Sequence, residues 1–132
     1  MFKKALILGI VSGLLAGIAG LIYAKVYYSA TEADFSKVAS TVNIIASSLF
    51  GGVLAAIGYW GAIRLLKGNG EIVFNLVFSI LSFASLLAPI AFRLPRDIGT
   101  PELFPGMVIP MHFFPALAWY TLKPLFFRPS LA

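Results

Sequence analysis

The sequence contains no cysteine, a single histidine and only five acidic residues among 132. Without cysteine there is no disulfide framework, no thiolate metal site and no CxxC redox pair. The acids all lie outside the long apolar runs, and no HExxH, P-loop or GxSxG motif is present, so none of the common catalytic signatures applies. Charge is scarce as well. Charged residues make up 11% of the chain, against about 25% in a soluble domain, which excludes a large soluble enzyme domain or a dinucleotide-binding fold.

What the chain has in quantity is apolar sequence: 60% hydrophobic residues and a mean hydropathy of +0.95. One helical crossing of a bilayer takes roughly 20 apolar residues, so four crossings occupy some 80 positions and leave about 50 for ends and loops. Four runs free of charge match that arithmetic, at Ala5 to Ala24, Val38 to Ile63, Ile72 to Phe92 and Leu103 to Leu122 (5-24, 38-63, 72-92 and 103-122). They are continuously apolar, unlike the alternating segments of about ten residues in a membrane β-barrel. The expectation is an all-α integral membrane four-helix bundle, one four-span domain over residues 1-132 with short loops. Lys3 and Lys4 before the first run resemble the start of a signal peptide. The run of 20 residues exceeds the roughly 7–15 of a signal core, so it is read as a retained helix.

Boundary residues predict where helices start and stop. Thr31-Glu32-Ala33-Asp34 has capping-box spacing, so the second helix is expected to begin in the loop, with Ser36 as the alternative cap. Gly68-Asn69-Gly70 offers residues tolerant of positive φ for a tight reversal into the third span. Thr100-Pro101-Glu102 reads as an N-cap, a first-turn proline and a first-turn acid.

With four spans both termini share one side. Together with the 64–71 loop they carry six basic residues against four on the opposite loops, which favours cytoplasmic termini and a multi-pass location in the cell (cytoplasmic/inner) membrane. The net charge of +5 then sits at helix ends beside anionic headgroups, and no nucleic-acid partner is expected. Tyr59, Trp60, Trp119 and Tyr120 near one set of span ends, and Tyr23, Tyr27 and Tyr28 near the other, read as interfacial belts.

Helices in lipid associate through close packing and polar bonding. Gly9, Gly13 and Gly17 recur at i+4 spacing in the first span, and Ser47, Gly51 and Ala55 run beside Ser48, Gly52 and Ala56 in the second. These small-residue rows are expected to meet. Asn75, Ser79, Ser82 and Ser85 share an arc of about 120° at 100° per residue, and Ser40, Asn43 and Ser47 a narrower one. Both are expected to face the protein interior, for interhelical bonding or as the lining of a solute path.

Within the apolar runs the only ionisable side chain is His112. An intramembrane ionisable group is a functional candidate, and an unperturbed pKa of about 6.5 suits proton handling. Pro105, Pro110 and Pro115 surround it. Pro110 cannot donate to the Gly106 carbonyl, nor Pro115 to that of Met111, so two bare carbonyls flank the ring. The plainer reading is a neutral imidazole bonded to one of them, or to a serine or asparagine of a facing helix. Haem ligation with Met107, Met111 or a second subunit is a further alternative, and no cofactor or metal is expected. Arg93 and Arg96 in the last loop suit an anion or a partner protein; the plainer reading is local pairing of Arg96 with Asp97 or Glu102 and contact with lipid headgroups. No family motif is specific enough to carry a function. The expected role is a non-enzymatic accessory or structural subunit, or an assembly partner, of a larger membrane complex. Its expected partners are the lipid bilayer, other membrane subunits or copies of itself. The alternative is a small oligomeric transporter or channel using His112, Asn43 and the polar face of span three.

Overall fold

The computed structural model describes residues 1–91, 93–94 and 100–127. The fold is all-α, as expected. Helix α1 spans Phe2–Thr31, α2 Thr41–Leu66, α3 Gly70–Ala84, α4 Leu87–Ala91 and α5 Phe104–Phe126, with 3-10 turns at Lys67–Asn69 and Pro101–Leu103.

The expected four-helix bundle is corrected by these bounds: three helices are long, α1, α2 and α5, and the third apolar run does not form a fourth. It is broken after 15 residues, about 22 Å of helix at 1.5 Å per residue, short of a hydrocarbon core of about 30 Å. The break has a local cause. Pro89 has no N–H to give the Ser85 carbonyl, which takes the tighter bond from Ala88 N–H at 3.2 Å instead. The Ser82 hydroxyl turns back to the Phe78 carbonyl at 2.8 Å and that of Ser85 to the Ser82 carbonyl at 2.7 Å, a competition that loosens helices. Two helical stretches, Phe2–Thr31 and Thr41–Ala91, are long and apolar enough to cross a membrane. Helix α5, with Pro110, Pro115 and Pro124 inside it, is long enough at 23 residues but falls short by the same measure of hydropathy.

Three boundaries also differ from expectation. Thr31 ends α1 rather than starting α2: its hydroxyl donates to the Tyr27 carbonyl and accepts from Ala33 N–H, while Glu32 caps the helix in the left-handed conformation at φ 59°. The cap of α2 is Ser40, whose Oγ accepts from Asn43 N–H at 3.2 Å. At the reversal before α3 the positive φ falls on Lys67, at 49°, and none of the described glycines has one. Gly70 serves packing instead, since a Cβ there would stand 2.5 Å from the Ala62 carbonyl oxygen and 2.7 Å from Ile63 Cα. Thr100, expected as an N-cap, is left-handed at φ 50° and makes no capping bond.

Helix α1 runs antiparallel to α2 and to α5, so that α2 and α5 run parallel. Gly9 lies against Gly52, Gly13 against Ser48 and Leu49, and Gly17 against Ile45. Thus α1 and α2 pack backbone to backbone, and α1 also packs along α5. At the hairpin end Tyr59, Phe74 and Trp119 form an aromatic core, with ring centroids 5.2 to 5.7 Å apart. Tyr59 and Trp119 are buried there. At the other end the 32–40 loop tucks Phe35 against Phe104, with centroids 5.3 Å apart.

Candidate functional site: a cleft with one polar end

Helices α2 and α3 are held together at the hairpin by Gly70 and by the Tyr59 and Phe74 rings, and they separate away from it. Where α5 crosses behind them they flank a cleft of about 790 Å³, open along one side, where Leu54 and Leu81 are exposed. The walls are one face of each helix. Gly51, Leu54 and Gly58 from α2 and Val73, Val77 and Leu81 from α3 are apolar, whereas Asn43, Ser47, Ser82, Ser85 and His112 gather at the end away from the hairpin. Among the described residues no charged side chain lines it.

The polar end has a definite hydrogen-bond order. Ser85 gives its one hydroxyl proton to the Ser82 carbonyl and faces His112 Nδ1 at 3.0 Å. Its oxygen is therefore the acceptor of that contact, and His112 Nδ1 carries the proton. A neutral imidazole then keeps its lone pair on Nε2, which no protein donor reaches among the described residues. Asn43 donates from Nδ2 to the Val38 carbonyl at 2.9 Å, fixing its amide at the mouth.

Asn43, Ser82 and His112 thus come together at one end of one cleft. Asn75 and Ser79 do not join them. Tyr120 donates to the Asn75 carbonyl at 3.1 Å and so receives the Ser79 hydroxyl at 3.1 Å, tying α3 to α5 beside the aromatic core. The Asn75 Oδ1, Ser12 Oγ and Trp119 Nε1 atoms are buried without a partner. Neither proline-freed carbonyl receives His112. Of the two, the Gly106 carbonyl accepts from the Tyr23 hydroxyl at 2.9 Å, and the Leu103 carbonyl, which no proline frees, accepts from Tyr27 at 2.6 Å. Pro105 lies in the first turn of α5, while Pro110 and Pro115 lie inside it without ending it. Met111 lines the cleft and Met107 is buried against Phe104. Among the described residues no cluster of three or more His, Asp or Glu side chains could hold a metal.

Gly9, Gly13, Gly17 and Gly52 stand at the contact of α1 with α2. Gly51 does not: a Cβ there meets nothing within 4 Å, and the residue faces the cleft. Of the last-loop anion candidates, Arg93 is described while Arg96 and Asp97 lie outside the described residues.

Sequence reasoning missed Lys123 and Glu71 as a pair. They form an ion pair between α5 and the start of α3, with the ammonium 5.1 Å from the centre of the Tyr59 ring. Lys123 is 8% exposed. Glu71 in the first turn of one helix and Lys123 in the last of another are where helix dipoles favour each charge. That was the available signal, but their proximity is tertiary. In the 32–40 loop, Ser36 N–H donates to Asp34 Oδ1 at 2.9 Å, and this bond holds the Asp34 carboxyl below its ordinary range.

No family model matches the chain, and no curated protein or solved structure is detectably similar to it. The functional reading therefore rests on the residues themselves.

Proposed function

We propose that this chain is a small polytopic membrane protein that acts as an accessory or structural subunit, or assembly partner, of a larger membrane complex. One observation carries the reading: large apolar side chains cover the outside, among them Ile18 and Ile22 on α1, Ile57 on α2, Ile80 and Phe83 on α3, and Leu117 on α5. Water tolerates exposed apolar patches of only a few hundred Å², so lipid or the apolar surface of another membrane subunit is the fitting environment. Several polar groups bond between helices instead, Tyr23 to the Gly106 carbonyl, Ser79 to Tyr120 and His112 to Ser85. The reading assigns the chain no reaction of its own.

Its test is the behaviour of the native protein. It is expected to stay in the membrane pellet through alkaline extraction and, in mild detergent, to carry heterologous partners in fixed stoichiometry by mass. Release into the soluble fraction defeats the membrane assignment. A pure homo-oligomer with ion or solute flux in vesicles defeats the accessory role in favour of a transporter or channel. The convergence of His112, Ser82 and Asn43 on one cleft speaks for that second reading, although Asn75 and Ser79, bonded to Tyr120, offer it no continuous polar path.

A further inference from the structure

We propose that the cleft between α2, α3 and α5 binds one uncharged single-chain amphiphile with a hydroxyl-bearing head, of the monoacylglycerol type. The head lies among Asn43, Ser85 and His112 and the chain along Gly51, Leu54 and Val77.

Size, polarity and proton inventory each narrow the occupant. A volume of about 790 Å³ lies within the range of about 300–1,000 Å³ of clefts that hold one small ligand, and its open side, where Leu54 and Leu81 are exposed, gives such a guest lateral entry. From Ser47 to Ala62 the α2 wall runs about 22 Å at 1.5 Å per residue, so the cleft is long enough for an extended alkyl chain. Its polarity is graded along that length, with amide, hydroxyl and imidazole groups at the mouth and only apolar side chains toward the hairpin. A purely hydrocarbon guest would leave the polar end unmatched. Among the described residues neither lysine nor arginine lines the cleft, so an anionic head drawn into it would find no counter-charge there, which disfavours it.

Hydrogen-bond order specifies the head further. Ser85 spends its proton on Ser82, and His112 spends the Nδ1 proton on Ser85. The group left over is a lone pair on Nε2, which calls for a donor from the guest, and a hydroxyl supplies one. The glycine at 51 matters for the same site. With a side chain there the wall would protrude into the space where the chain is placed, and nothing in the protein requires that space to be empty for the fold.

The proposal rests on the membrane assignment but not on the accessory role, and alkaline extraction tests that assignment separately. The direct test uses the full-length protein in phosphatidylcholine vesicles and a monoacylglycerol with a photoreactive diazirine in its acyl chain, with the labelled residues mapped by mass spectrometry. Labels are expected on cleft-facing residues such as Leu54, Val77 and Leu81, with competition by unlabelled monoolein and not by an equal amount of lysophosphatidylglycerol. Gly51→Leu is expected to lower cleft labelling about tenfold, corresponding to about 1.4 kcal/mol, while its thermal unfolding in detergent stays at the wild-type value or above. His112→Phe is expected to weaken labelling by this probe and to leave labelling by a headless alkyl diazirine unchanged.

Labels spread equally over outward residues such as Ile22 and Leu117 would mean bulk lipid contact and overturn the site. Equal competition by lysophosphatidylglycerol would overturn the choice of an uncharged head. Labelling unaffected by Gly51→Leu, or a cleft sealed by crosslinks to a second copy of the chain, would overturn occupancy by an amphiphile.

Discussion

Helix α2 carries two adjacent glycines with opposite uses. Gly52 faces α1, where its missing side chain lets the two backbones touch: a Cβ there would run into the Gly9 carbonyl. Gly51 faces away, toward α3 and α5, where its missing side chain leaves space unfilled. A missing side chain closes one face of the helix at Gly52 and leaves the other open at Gly51. The difference is made by the neighbour. Helix α1 brings Gly9, Gly13 and Gly17 to the contact, whereas α3 is tied to α2 at the hairpin and bonded to α5 farther along. A small residue is therefore an opportunity for close approach and does not by itself specify a contact.

The sharpest way to break this comparison is to place the same side chain on both faces. Gly52→Leu is expected to destabilise the protein by about 3 kcal/mol or to prevent folding, since backbone rather than a flexible side chain is in the way. Gly51→Leu is expected to change stability by no more than about 1 kcal/mol and in the favourable direction, because leucine is the better helix former. Thermal unfolding of both variants in one detergent decides it, and equal losses would erase the distinction between the faces.

The next effect concerns what holds α3 and α5 at the closed end of the cleft. Glu71→Ala leaves the Lys123 ammonium buried without its partner. The expected loss is about 2 kcal/mol, between the small value of exposed pairs and the large one of fully buried pairs, because Glu71 itself is 54% exposed. Lys123→Met, which removes the charge and keeps the volume, is expected to lose less. The same unfolding assay compares them.

Smaller again is the tie between α1 and α5. Tyr23→Phe takes the hydroxyl from the Gly106 carbonyl at a cost of about 1 kcal/mol. Pro110→Ala restores a helical N–H to that carbonyl, so the Tyr23→Phe loss is expected to shrink in the Pro110→Ala background, and strict additivity would refute the linkage.

The smallest expected effect is pH-dependent and lies in the exposed loop. With its folded pKa lowered by the Ser36 N–H, Asp34 stabilises the loop fully above the ordinary carboxylate range, and the contribution disappears as pH falls through the lowered value. The difference between wild type and Asp34→Ala is therefore expected to shrink on acidification, as read by hydrogen exchange of Ser36. A difference that grew on acidification would reverse the sign.

The legible and illegible parts of the fold divide along physical lines. The apolar runs marked all the long helices because hydrophobicity is a summed, local property. They also concealed the break in the third run, since Pro89 raises no alarm in hydropathy and acts only through the N–H it lacks. Serines 82 and 85 were readable as polar but not as hydroxyls turned back onto their own backbone. The bare Gly106 carbonyl followed from Pro110 alone, whereas its donor, 83 residues earlier at Tyr23, did not. Thr31 to Asp34 shows the reverse error: a spacing that fits a helix start ended a helix, because the choice between the two depends on which side the chain continues as helix.

The sequence by itself determined an all-α chain rich in apolar helix, poor in charge, without cysteine, and with one histidine inside its apolar runs. Those are consequences of composition and of periodicities that span a few residues. Only the tertiary structure decided that three helices are long, that Gly52 closes a contact while Gly51 opens one, that Lys123 finds Glu71, and that Asn43, Ser82 and His112 share one end of a cleft. Each of these depends on the rotation and tilt of one helix against another, which are set by contacts between residues far apart in the chain.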